Sequence, residues 1–240
     1  MNIRLILFAL LSILAPHALR AEGGMAAAAP VLPADPPIMG MNIYLVGFHP
    51  MKLFPAKQME AHHYCRQMNV DFMQCAVFNG NTRDADLTGV EYIISEKFFN
   101  ALPVGERKYW HPHDYEILSG QLVAPGLSHA ADHALIAKKM NTYGKTWHFW
   151  DAGTLNKPGD KVPMGEPMLA WSFNHDGEVE PGLVEHRDKA MGIDSNRLIR
   201  ERRDLISRAH AQGGVDSIES MFPGARAVPG VKDSGATPKN

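Results

Sequence analysis

The sequence predicts an α+β fold, an antiparallel sheet backed by helices, on three observations. Short runs rich in Val, Ile, Tyr and Phe alternate with segments of helical periodicity. Up to Ala124 these segments run strand, helix, strand, strand, helix, strand, the order of a ferredoxin-like βαββαβ core, with further helices at the C-terminal end. Residues 41–212 form one segment of domain size between Ala-, Pro- and Gly-rich ends, long enough for a hydrophobic core.

Residues 42–48 form a strand closed by His49-Pro50. Pro55 then starts a helix over residues 56–68, in which Ala61, Tyr64, Cys65 and Met68 make one apolar stripe. That stripe puts His62 at its flank and His63 nearly opposite, so His62 is the site candidate and His63 is solvated. Residues 71–78 are a strand with Met73, Cys75 and Val77 on one face, followed by a turn at Asn79-Gly80-Asn81. Residues 88–94 are another strand. Ser95 caps a helix over residues 96–102, which Pro103 ends.

Residues 109–120 come next, and their second half continues as a strand to Ala124. Ser128 caps a helix over residues 129–141, ended by Tyr143-Gly144. Residues 146–150 and 168–173 are strands, separated by a polar loop over residues 153–165. Two helices close the domain, residues 183–191 and 195–212. In the second, Leu198, Ile199, Leu205, Ile206 and Ala209 share a face, while Arg197, Arg200, Arg202, Arg203 and Arg208 make a solvated, ion-paired face with Glu201 and Asp204. Residues 213–240 read as a flexible tail.

The N-terminus has the layout of a secretory signal peptide: Arg4, an apolar core over residues 5–15, and small residues at Ala18 and Ala21. The apolar core is too short to span a bilayer, which takes roughly 20 residues. Residues 22–40 are an Ala/Pro-rich linker. Without residues 1–21 the chain keeps 22 basic and 26 acidic residues, net −4. That excludes the basic surplus of a nucleic-acid binder. No second long apolar run follows, so the mature chain has no transmembrane segment. The expected location is periplasmic or secreted.

The chemistry concentrates in residues 109–120, where His111, His113, Asp114 and Glu116 stand among Tyr109, Trp110 and Tyr115. His111-x-His113 puts two imidazoles on one side of a strand, a geometry suited to a divalent metal that needs at least one more donor. Glu116 faces the other way unless the chain bends at Pro112 or Asp114. Gly105, His111, His113, Glu116 and Gly120 are similar, by analogy, to the first metal motif of cupins, although Glu116 comes too soon and Pro163-x-Gly165 lacks the following His. The competing reading is a half-buried loop whose histidines satisfy hydrogen bonds. His148, on one strand face with Thr146 and Trp150, is either a buried hydrogen-bonded side chain or part of a ligand pocket. His129 and His133 have zinc-helix spacing but no accompanying Glu, and read as solvated. Cys65 and Cys75 leave three alternatives open: a disulfide, two separate buried thiols, or metal binding with His62. No nucleophile elbow, phosphate loop or dinucleotide fingerprint occurs.

Several blocks together resemble the oil body-associated protein family. They are Glu60-Ala61-His62-His63-x-Cys65, Gln74-Cys75, Gly89-Val90-Glu91-Tyr92-Ile93-x-Ser95-Glu96 and Trp110-His111-x-His113-x-Tyr115-Glu116-x-x-Ser119-Gly120, then Tyr143-Gly144-Lys145-Thr146-x-His148-Phe149-Trp150 and Pro163-x-Gly165-x-Pro167. The similarity runs over roughly residues 40–185. Plant members are linked to seed oil bodies; other relatives are known as a domain of unknown function. The resemblance implies that His62, His111, His113, Glu116 and His148 converge, but supplies no reaction, and the export signal sets this chain apart from the plant proteins.

The leading expectation is an exported domain with a His/carboxylate pocket for a small ligand or a metal. His62, His111 and His113 would be the metal ligands, with Glu116 and His148 in support. A metal-dependent hydrolase with Glu116 or Glu91 as base is the alternative. A non-catalytic lipid- or envelope-associated protein is the third, against which stands the lack of a strongly amphipathic interfacial helix.

Overall fold

Four strands in succession build the wall on which everything else rests. The computed structural model describes residue 33 and residues 35–238. In chain order it contains β1 (Ile43–Met51), β2 (Phe54–Asn69), β3 (Phe72–Phe78), β4 (Leu87–Ile94), α1 (Glu96–Ala101), α2 (Val104–Arg107), β5 (His111–Pro112), α3 (Asp114–Leu118) and α4 (His129–Ala137). Then follow β6 (Tyr143–His148), β7 (Gly153–Thr154), β8 (Lys157–Pro158), β9 (Met168–Leu169), α5 (Leu183–Met191) and α6 (Ser195–Glu201). The main sheet has the order β1-β2-β3-β4-β6-β5, with β9 also on β6 and every pairing antiparallel. It curls into a half-barrel with helices around it, an α+β fold.

The ferredoxin-like order is not formed, because residues 56–68 are strand rather than helix. β2 pairs with β1 over residues 54–65 and with β3 over residues 62–69, so residues 62–65 have a partner on each side. The two partners together take up backbone groups along the whole strand, and that outweighs a helical stripe of four apolar residues. Met68, counted in that stripe, is exposed at the strand's end. Cys65 and Cys75 are directly opposite in the β2–β3 pairing and are joined as a disulfide.

The strand expected over the second half of residues 109–120 and on to Ala124 does not form; β5 stops at Pro112. The chain turns into α3, and Val123 touches β1 only through a single bridge to Val46. Two buried arginines hold this bend. Arg202 donates to the carbonyls of Ile117 and Leu122 and pairs with Asp132 at 2.9 Å; Arg187 donates to those of Gly120 and Gln121. Planar guanidinium groups thus satisfy the carbonyls that a five-residue helix leaves unpaired. Arg202 is therefore a core residue rather than part of a solvated face.

Two helix caps follow the expected chemistry: Ser95 accepts from Phe98 N and Ser128 from Ala131 N. The last helix is shorter than expected, giving way after Glu201 to a 3-10 segment over Arg203–Arg208. Residues 213–238 are packed rather than a flexible tail: Val215, Ile218 and Val231 are buried, and Trp171 Nε1 donates to Gly214 O. The main core gathers Leu45, Phe48, Ile117, Ile136, Phe173 and Leu205. The expected signal peptide, residues 1–21, and most of the linker lie outside the described residues. Among the described residues, no helix is long and apolar enough to cross a membrane.

Candidate functional site

Strand register decides which side chains share the concave face. Ile43, Cys65, Cys75, Glu91 and Thr146 lie opposite one another across β1, β2, β3, β4 and β6, as do Leu45, His63, Val77, Gly89 and His148. Directly opposed residues in antiparallel strands project to the same side. Glu91, His63 and His148 therefore face one space, and His49 joins them at alternate spacing along β1. β5 brings His111 opposite Gly144, and the bend into α3 swings His113 and Glu116 toward the same space.

The result is a buried cluster centred on Glu91. Its Oε2 lies 2.7 Å from His63 Nε2 and 3.7 Å from His49 Nε2; its Oε1 lies 3.4 Å from His113 Nε2 and 3.8 Å from His111 Nε2. His148 Nε2 is 2.9 Å from His49 Nδ1. Ligand atoms of His111, His113 and Glu116 lie within 4.8 Å of one another, as do those of His49, Glu91 and His111.

These groups point at a common spot more than at each other. Both ring nitrogens of His63 and of His111 are buried without an aligned hydrogen-bond partner, as is Nδ1 of His148. Thr142 Oγ1 donates to Lys139 O, so it accepts from His113 Nδ1–H at 2.8 Å. That tautomer leaves the His113 Nε2 lone pair facing Glu91 Oε1, two acceptors that need a proton or a cation between them. Gly144 permits the approach: a Cβ there would collide with Glu91 Oε1 and lie 2.5 Å from His111 Nε2.

Electrostatics hold three of the imidazoles, those of His49, His111 and His148, in the neutral form. Burial lowers the His111 pKa to about 3, and burial with His63 beside it lowers His148 to about 4. Burial and the same His63 hold His49 well below the usual range. Burial pushes the Glu91 carboxyl up, but His63, His113 and His111 outweigh it and hold it well below the usual carboxylate range. Glu116 is the opposite case, pushed well above that range by burial and by Glu91. Lys139 closes the space, its pKa lowered to about 8 mainly by burial. The cavity among His49, His63, Glu91, His113, Glu116 and Lys139 is about 10 Å³, on the scale of one water or ion. Imidazole nitrogens and a carboxylate without thiolate are a donor set suited to zinc, manganese, iron, nickel or copper.

Residues 35–206 match the family described as "Protein of unknown function (DUF1264)". Oil body-associated protein 2A of Arabidopsis thaliana is 36% identical over 172 residues, covering 71% of this chain and 68% of the relative. Oil body-associated protein 1B of the same plant is 33% identical over 188 residues, 78% of this chain and 74% of the relative. The chain belongs to the oil body-associated protein family. Zea mays oil body-associated protein 2A is 38% identical over 162 residues, covering 67% and 63%. No solved structure matches the chain. The family segment contains all seven cluster residues, from His49 to His148, and ends before the packed segment at residues 213–238.

Of the residues singled out from the sequence, Glu91, His111, His113, Glu116 and His148 come together. His62 does not. It projects from the other side of β2, where Tyr44 OH lies 2.7 Å from its Nδ1 and Glu60 Oε1 3.0 Å from its Nε2. His63, expected in solvent, takes the place assigned to His62. His49 was not singled out. The signal for both was period-two alternation, with Met59, Ala61, His63 and Cys65 on β2 facing Leu45, Gly47 and His49 on β1. His129 and His133 form exposed pairs with Glu201 and Asp204.

Proposed function

We propose that this protein holds a divalent transition-metal ion on the concave face of the half-barrel, through Glu91 and the imidazoles of His49, His63, His111 and His113, and that it works as an exported protein. His148 orients His49, and Glu116, carrying a proton, stands ready to donate a hydrogen bond to a small ligand on the metal. The observation that carries the reading is the convergence of four buried imidazoles on one ionised, buried carboxylate, with both ring nitrogens of His111 left without a hydrogen-bond partner. Without a cation, that arrangement leaves several desolvated polar atoms unpaired, each at a cost of about 1–3 kcal/mol. Export is supported by the N-terminal pattern and by the Cys65–Cys75 disulfide, which suits an oxidising compartment.

The test is elemental mass spectrometry on untagged protein prepared without chelator. Wild type is expected to carry near-stoichiometric metal. Glu91→Gln keeps the shape of the side chain and is expected to weaken metal affinity by at least roughly a hundredfold in a chelator competition. A wild type that stays metal-free after reconstitution with each candidate ion sinks the reading. For export, protein recovered from the envelope fraction or the medium is expected to begin near residue 22; a chain that still begins at Met1 rejects it.

A further inference from the structure

Beyond the cluster, a groove of about 450 Å³ opens between the β1–β2 turn and residues 166–169. Its walls are apolar: Leu53, Phe54, Trp147 and Met168, with Leu53 and Phe54 largely exposed at 69% and 60%. Two cations line it, Lys52 and Lys108, against one carboxylate, Glu166. Lys52 is only 3% exposed. Its ammonium donates to Lys108 O at 2.6 Å and sits 3.8 Å over the Trp171 ring, and among the described residues no carboxylate pairs with it within 4.0 Å. A buried ammonium with three protons, one carbonyl acceptor and an aromatic face lacks an anion. Burial and the neighbouring Lys108 lower its pKa to about 8, as expected for a cation without a counter-ion.

We propose that this groove binds a carboxylate bearing an unbranched apolar tail, the head held by Lys52 and Lys108 and the tail laid along Leu53, Phe54, Trp147 and Met168. The volume lies in the range of small-molecule sites, and the pattern of apolar walls with a few placed charges is that of a ligand pocket rather than of a protein-docking face. The bound carboxylate completes the Lys52 ammonium, an interaction the tail alone cannot supply. The proposal does not depend on a metal in the cluster.

Monomeric decanoate, kept below its micelle concentration, is titrated into the full-length mature protein by calorimetry and tryptophan fluorescence. Saturable one-to-one binding is expected, with acetate, decanol and decylamine each at least about tenfold weaker. At pH 8 the binding enthalpy is expected to depend on the buffer, because Lys52 takes up a proton when it acquires its counter-ion; Lys52→Met loses both the dependence and at least about tenfold in affinity. Phe54→Glu, a change at an exposed position, sets a charge against the apolar tail and is expected to abolish binding while circular dichroism and Tm stay unchanged. Equal binding of decanol or decylamine overturns the proposal. So does undiminished binding to Phe54→Glu, or binding to anionic phospholipid vesicles with none to decanoate.

Discussion

At the residue scale, His62 and His63 are adjacent in the chain yet belong to different chemistries. His63 lies 2.7 Å from Glu91, while His62 bridges Tyr44 and Glu60 on the opposite side of β2. His63→Ala is therefore expected to lower metal affinity by at least roughly tenfold in a chelator titration, and His62→Ala to leave it unchanged. A loss of affinity in the His62 variant alone would reverse the assignment. The buried imidazoles also set a pH signature in the metal-free protein. His148 has a folded pKa of about 4, below its unfolded value near 6.5, so the unfolded chain binds the extra proton. Its stability contribution is complete above about pH 6.5 and is lost as pH falls toward 4. Measured by urea unfolding against His148→Asn, which cannot protonate, wild type is expected to lose about 2 kcal/mol between pH 7 and pH 5. The raised carboxyls of Glu116 and Asp114 titrate in the opposite sense, and the comparison cancels them. Identical pH slopes in the two proteins would remove His148 from the buried neutral set.

At the element scale, the site rests on two features that local periodicity hides. The first is the choice of strand over helix in β2. Residues 61–65 read Ala-His-His-Tyr-Cys, and apolar or half-apolar residues at consecutive positions fit both periods. Pairing on both edges settles the matter. The second is the break after Pro112, where α3 turns Glu116 toward the imidazoles; its cause is the pair of arginines arriving from α5 and from just past α6, far along the chain. β6 adds a steric condition at Gly144. Gly144→Ala is expected to cost about 1–3 kcal/mol by overpacking and to abolish metal binding, read by denaturant unfolding and metal content together. A variant that unfolds like wild type and retains metal would mean that Glu91 and His111 do not need this closeness.

At the scale of the whole molecule, the C-terminal segment is part of the architecture. Trp171 donates to Gly214 O and stands 6.0 Å from the His111 ring, so residues 213–238 buttress the cluster through one indole. Val215, Ile218 and Val231 bury side chains worth about 1.5–3 kcal/mol each. A chain ending at Gln212 is expected to lose on the order of 5 kcal/mol, a fall in Tm of at least about 10 °C by thermal scan. An unchanged Tm would restore the reading of this segment as a tail.

The sequence by itself determined the α+β class, the positions of most strands, the caps at Ser95 and Ser128, the family, and five of the seven clustered residues. Those features depend on local chemistry: side-chain period, capping oxygens, and motif blocks of unusual composition. Only the tertiary structure decided that β2 is a strand, that His63 rather than His62 faces Glu91, that His49 joins from the first strand, and that residues 213–238 are packed. Each of these depends on which partner lies alongside, a β-strand on either edge or an indole above the imidazole. The partners that place the site residues are distant in the chain, 28 residues from His63 to Glu91 and 43 from Trp171 to Gly214. Local periodicity carries no record of them.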